Sequence, residues 1–211
     1  MKIIVCLWIA LSFAPVMKDG QAAEEFVATE EQRLTLKTGE AVQLSKRPGE
    51  GEEIDKRFTT FAMAINAPIE KVWEVVNDKK GAPDFLAGVL LSKVLEEGDD
   101  WMLVEQKTAV GGPKSSYHYT LRHQLYPFER VEFKRVSGEL KEVLGGWWFF
   151  EGEKPETTIL VYSLHIDPGL FAPQFIVKRG MKTSLPNTLK WMKKEALRRV
   201  GEGSESEGDA Q

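Results

Sequence analysis

The stretch KRFTTFAMAINAPIEKVWEVVNDKKGAPDF, Lys56–Phe85, decides the fold. In Lys56–Asn66 the large apolar residues Phe61, Met63 and Ile65 alternate with Thr60, Ala62 and Ala64. A period of two marks a strand with one buried face. Ala67-Pro68 stops it, because proline offers no N–H to a ladder and its fixed φ suits a first helical turn. Ile69, Val72, Trp73 and Val76 then recur at helical spacing, which predicts a short amphipathic helix. Asn77-Asp78 and Gly81-Ala82-Pro83 end it.

Beyond this stretch the chain reads as six more strands and a long helix. The strands are Val89–Leu95, Trp101–Val110, Ser116–Tyr126, Arg130–Ser137, Leu140–Glu151 and Thr157–Asp167. Glu97-Gly98-Asp99-Asp100, Gly111-Gly112-Pro113, Pro127-Phe128-Glu129 and Gly152–Glu156 supply the turns. After the break at Pro168–Pro173, Gln174–Val200 carries Val177, Met181, Leu185, Leu189, Met192 and Ala196 on one stripe. Pro186 inside it predicts a kink or a break into two helices. Gly201–Gln211, with acids, no base and no bulky apolar residue, reads as a disordered tail. An α+β architecture satisfies all of this: a curved antiparallel β-sheet wrapped on a long C-terminal helix, over residues 56–200.

Upstream, Met1–Ala23 reads as a cleaved signal peptide. Lys2 precedes the apolar run Ile3–Met17, which is short for a membrane span, and small residues lie near Ala23. The expected location is periplasmic or secreted. Cys6, the only cysteine, falls inside this segment. The mature chain therefore has no thiol for disulfides, nucleophilic catalysis or metal ligation. Glu24–Asp55 is a charged N-terminal extension and linker. Arg33–Leu36 and Ala41–Leu44 flank Thr38-Gly39-Glu40, a pattern that predicts a small hairpin. Net charge is −4, which gives no basic signature for nucleic acid.

Ala67-Pro68, Val72-Trp73, Asp78 and Pro83-Asp84-Phe85, set after a strand, resemble the opening of the START-like, helix-grip (SRPBCC) superfamily. That superfamily includes polyketide cyclases/dehydrases and coenzyme-Q-binding START proteins. The order of elements over about Lys56–Arg199 is also the helix-grip order. Gly138, Trp147 and Phe149 match the coenzyme-Q-binding subgroup, while Glu139 and Leu140 stand where that subgroup has Pro-Phe. The departure touches quinone as ligand and not the fold. The resemblance implies a cavity between sheet and C-terminal helix. One similar subgroup consists of ribosome-associated toxins, a partner that export would put out of reach.

Few side chains can carry chemistry. His118 and His123 differ by an odd offset, so on one strand they face opposite sides. With His165 they are the only histidines, and no metal-ligand, triad or phosphate-loop motif is present. We therefore expect no catalytic residue, no metal and no cofactor, and favour a binder over an enzyme. Alternation places Phe61, Met63, Ile65, Tyr117, Tyr119, Leu121, His123, Phe133, Trp147, Phe149, Tyr162 and Leu164 on the concave face, facing Leu185, Leu189 and Met192 of the helix. The residues alone favour a filled core; the resemblance implies a ligand cavity lined by them. The second and third strands carry apolar residues on both faces and leave their inner side open.

In Trp147-Trp148-Phe149-Phe150 both faces carry large aromatics, so the outer one needs cover, which Glu24–Asp55 is expected to give. The last helix holds eight basic residues and one acid, Glu195. This is either a solvated face or a surface for anionic membrane. The expected function is binding or transport of a hydrophobic small molecule, such as a lipid or quinone, in the cell envelope. The alternatives are a polyketide cyclase/dehydratase-like enzyme, with His123 and the inner tyrosines as acid and base, and an envelope protein-interaction module.

Overall fold

A computed structural model describes residues 26–51, 55, 57–109, 116–171 and 173–208. The signal-peptide reading of Met1–Ala23, the turn at Gly111–Pro113 and the end of the expected tail lie outside the described residues. The chain runs α1 (Glu30–Lys37), β1 (Val42–Leu44), β2 (Thr59–Ile65), α2 (Ile69–Asn77), α3 (Ala82–Phe85), then β3 (Val89–Glu97), β4 (Trp101–Ala109), β5 (Ser116–Tyr126), β6 (Arg130–Gly138), β7 (Glu142–Glu151), β8 (Thr158–Asp167) and α4 (Gln174–Gly208). The strands form one sheet in the order β1-β2-β8-β7-β6-β5-β4-β3, antiparallel throughout. From β3 to β8 each strand pairs with its successor, as short turns require. β2 pairs with β8, so α2 and α3 must carry the chain across the sheet to its far edge at β3.

Curvature has local causes. Register shifts interrupt the β3–β4 ladder at two places and the β5–β6 ladder between Thr120 and Leu121; bulges bend and twist a strand. At Gly145 a Cβ would run into the Phe133 ring and the Ser163 carbonyl. Glycine is what lets β6, β7 and β8 pack this closely at that point. The β2–α2 corner is pinned from inside: the fully buried Thr158 donates its hydroxyl to the Ala67 carbonyl at 2.7 Å.

The concave face packs as the alternation predicts. Phe61, Met63, Ile65, Leu121, Phe133, Trp147, Phe149, Leu160 and Leu164 join Val72, Val75 and Val76 of α2 and the stripe Met181–Leu185–Leu189–Met192–Ala196 of α4 in one cluster. The expected break at Pro186 does not occur. One continuous helix runs through it, and the Lys182 carbonyl simply lacks the amide donor that proline cannot give. The helical backbone also continues past Val200 to Gly208, so the expected disordered tail is helical over those residues.

The convex face is covered as expected, but by different structure. Phe26, Leu36, Val42 and Leu44 of the N-terminal extension pack on Ala62, Trp148, Ile159 and Val161, with Phe150 at the margin. The expected Arg33–Leu36/Ala41–Leu44 hairpin is not formed. Arg33–Leu36 lies in α1, and Val42–Leu44 pairs with β2 instead. The reason is a capping box. The Thr29 hydroxyl accepts the Gln32 amide and the Gln32 side chain accepts the Thr29 amide, with Glu30 and Glu31 in the first turn and Lys37 in the last.

Candidate functional site on the inner face of the sheet

The sequence-derived set comes together on one surface, but it divides into two parts. α4 lies against β2 and β8 and against α2 and α3. Under it Phe61, Met63, Ile65, Leu185, Leu189 and Met192 are sealed. These six line no opening: side chains of this size on a helix lying flat on two strands fill the space between. The expected cavity directly beneath the C-terminal helix is therefore closed core at these positions.

The other part lies on β5, β6, β7 and β8, with β4 beside it. Register resolves the ambiguity over β4: Met102 stands opposite His123 and Val104 opposite Leu121, so both face inward, and both are buried. Here the lining turns polar. The Tyr119 hydroxyl is 2.9 Å from Thr108 Oγ1. Tyr162 stacks flat on Trp147, with centroids 3.7 Å apart and planes within 2°. Its hydroxyl has no hydrogen-bond partner among the described residues. His123 is 3% exposed, its ring centroid 5.5 Å from that of Phe133, and neither ring nitrogen has a partner. Ser92 Oγ on β3 is likewise buried without one. Leu121, Phe133, Trp147, Phe149 and Leu164 are buried around these groups, whereas Tyr117, Tyr119 and Tyr162 keep part of their surface uncovered.

Burial governs the titration of this surface. It raises the Tyr119 phenol, against the opposing bond from Thr108, and raises Tyr162 further, with Tyr119 adding to the effect. It holds the His123 imidazole well below 6.5, with the positive charge of Lys79 acting in the same direction. Lys79 is the residue sequence reasoning missed. It is 6% exposed, its Nζ donates to the Val76 carbonyl at 2.6 Å, and burial lowers it from 10.5 to about 7, opposed only by Asp78. Asp78 is itself committed. Burial works to raise its carboxyl, but bonds from Arg199 and the Gly81 amide leave it lower than usual. A signal for Lys79 was available, because positions 69, 72, 76 and 79 continue one helical stripe.

Two other features frame the site. A cleft of about 490 Å³ opens on the convex face, between the N-terminal extension and β5–β7. Arg47, Arg57, Arg122 and Lys134 line it, with Asp55 and Glu132. On α4, much of the basic character is used internally. Lys190 pairs with Glu40, Lys193 donates to the Gly39 carbonyl, and Arg198 and Arg199 bind Glu195, with Glu202 and Asp78 as second partners. Arg179 and Lys182 make no ion pair among the described residues, and nearby Leu170, Phe175 and Ile176 are exposed. The described residues include no cluster of metal-ligating side chains and no helix long and apolar enough to cross a membrane.

Residues 65–193 match the family described as polyketide cyclase / dehydrase and lipid transport. Among curated proteins, the chain is 34% identical over 82 residues to a ribosome association toxin, RatA, of Pseudomonas aeruginosa, covering 39% of this chain and 56% of that protein. It is 30% identical over 80 residues to RatA of Escherichia coli, covering 38% and 49%. The chain thus spans about half the length of these relatives. Among solved structures it superposes on the Zhui aromatase/cyclase of Streptomyces sp. R1128 with a TM-score of 0.61 at 22% identity, covering 68% of this chain and 94% of that one. A STAR-related lipid transfer protein of Xanthomonas axonopodis gives 0.55 at 13% identity, covering 68% and 96%. At such identities the likeness establishes the fold.

Proposed function

The chain belongs to the polyketide cyclase / dehydrase and lipid transport family, and from that premise we propose that it binds and carries a hydrophobic small molecule, a lipid or quinone, in the cell envelope. The observation that carries this reading is the state of Tyr119 and Tyr162. Both phenols lie deep enough for burial to dominate their ionisation, yet both side chains keep uncovered surface. Side chains at that depth with free surface face a recess, and the recess is walled by Phe133, Trp147, Leu164 and His123. A mostly apolar wall with a few placed polar groups is what small-molecule sites are made of. The envelope location rests on the reading of Met1–Ala23. An anionic membrane surface is the proposed source of the guest, approached by the end of α4 where Leu170, Phe175, Arg179 and Lys182 lie.

The geometry supports a carrier better than a cyclase. A general base needs an orienting partner and a pKa near the working pH. His123 has no partner on either nitrogen and is held well below 6.5. The test is native mass spectrometry of the protein purified from its host's envelope fraction, followed by solvent extraction. A bound hydrophobic molecule in the extract is expected. An empty protein that also fails to bind a fluorescent fatty acid would overturn the reading, as would loss of a measured cyclase turnover in His123→Ala.

A second reading takes its support from the ribosome association toxins among the curated relatives. A net charge of −4 works against docking on a polyanion, since phosphate neutralisation needs spare cations. Cosedimentation with ribosomes at low salt tests it, and a ribosome-bound fraction would displace the carrier reading.

A further inference from the structure

We propose that Lys79 and His123 form a head-group subsite within the recess, one that selects amphiphiles ending in a carboxylate over neutral lipids. The inference rests on the reading that the inner face receives a hydrophobic guest, and it names the chemistry of that guest. Lys79 lies in the turn two residues past the end of α2 and His123 in the middle of β5; both side chains are buried, and the ammonium charge reaches the imidazole.

The inventory of unused hydrogen-bonding groups is lopsided. Lys79 has three N–H groups and spends one on the Val76 carbonyl. Neutral His123 has one N–H and one bare ring nitrogen, and neither has a partner. The Tyr162 hydroxyl on the same face is unengaged. Counting the bare His123 nitrogen and the Tyr162 oxygen as acceptors, N–H and O–H donors still outnumber them, and a group rich in acceptor lone pairs takes up the surplus. A carboxylate does so and also supplies the negative charge that Lys79 lacks. The nearest acid, Asp78, supplies only part of it, because the same carboxylate also holds Arg199 and the Gly81 amide. A neutral alcohol or ester would leave the ammonium with only its share of Asp78, a poorly compensated and costly state for a buried cation.

Both His123 nitrogens are closed to solvent, so an entering head group must displace a neighbour. Met102 and Phe133 stand opposite His123 on the two adjoining strands. Met102 is flexible enough to give way. The head group then sits between α2 and β5, and the tail lies along Tyr119, Tyr162 and Trp147.

The test compares an 18-carbon fluorescent polyene fatty acid with its methyl ester, on the full chain and on Lys79→Met and His123→Leu. The wild type is expected to bind the acid at least about tenfold more tightly than the ester, the yield of one charge-assisted contact. Lys79→Met should lose that preference by weakening the acid alone, and His123→Leu should narrow it. A thermal midpoint of Lys79→Met no lower than wild type shows that the variant is folded. Lys79→Gln provides a second folded variant with the same expectation. Equal binding of acid and ester by the wild type, or a preference that survives Lys79→Met, overturns the subsite and leaves the hydrophobic recess standing. Binding of neither probe overturns the recess itself, and the subsite with it.

Discussion

Replacing Lys79 by methionine should stabilise the protein, and the gain should depend on pH in a specified way. Burial takes the ammonium from 10.5 to about 7. At about 1.4 kcal/mol per pKa unit, that shift costs the folded state on the order of 4–5 kcal/mol below pH 7, where the unfolded chain carries the charge freely. Methionine removes this cost and gives back about 1 kcal/mol for the lost bond to the Val76 carbonyl. A net gain of about 3 kcal/mol at pH 7 is expected. The sign of the pH dependence follows from the proton count. Between about 7 and 10.5 the unfolded chain holds a proton that the folded one has released, so wild-type stability rises with pH across that window and the advantage of methionine shrinks.

The neighbours set the usable range. His123, held neutral by burial, adds a slope of its own below 6.5, and the raised Tyr119 and Tyr162 add one above 10. Asp78, lowered, titrates further down still. Urea denaturation followed by tryptophan fluorescence at several values from pH 7 to 9.5 isolates Lys79. A difference between wild type and variant that stays flat across this range would refute the reasoning, and so would a variant that is less stable at pH 7.

Three further outcomes follow from particular contacts. Thr158→Val keeps the shape of the β2–α2 corner but leaves the Ala67 carbonyl buried and unpaired, a loss of about 1–3 kcal/mol in urea titration. Trp148→Ala should cost about 3–5 kcal/mol, because the ring is 4% exposed and sits at the centre of the convex layer. At the acid end, bonds from Arg198, and after the opposing effect of burial those from Arg199, hold the Glu195 carboxyl at about 2, against 4.5 in the unfolded chain. Its contribution, about 3.5 kcal/mol at full strength and about 2–3 kcal/mol once solvent screening of the surface partners is allowed for, is complete above pH 4.5 and is lost as pH falls through 2. Glu195→Gln should flatten that part of the acid limb in a stability–pH profile.

The parts of the structure that could be read from residues are those where side-chain size alternates. Phe61, Met63 and Ile65 against Thr60, Ala62 and Ala64 leave one choice of face, and Trp147 to Phe150 announce two covered faces at once. α1 was misjudged because Thr38-Gly39 resembles a hairpin turn, whereas Thr29 and Gln32, some residues earlier, commit the segment to a helix. The faces of β4 were beyond reach. Met102 and Val104 are no more apolar than Leu103, and only the pairing with β5 tells them apart. The candidate site was half legible. Its tyrosines and His123 follow from period two. Lys79 has only the weaker signal of its place on the stripe of 69, 72 and 76, which the solvated look of Lys79-Lys80-Gly81 outweighs until α2 is seen against β7 and β8.

That placement of Lys79 ties the two halves of the inner face together. α4 closes the half over β2 and β8 with aliphatic side chains and is held there by Arg199 on Asp78 and Lys193 on Gly39. The Arg199–Asp78 bond acts at a distance from any ligand: it divides the one acid beside Lys79 between two cations, so that Asp78 offsets the burial of the ammonium only in part. Freed from Arg199, Asp78 could turn its charge to the ammonium and the buried amine would have its counter-ion within the protein. As folded, that negative charge is shared with the bond that holds the helix, and Lys79 and His123 are left incompletely satisfied from within. The contacts that seal one half of the face therefore leave the other half wanting an anion.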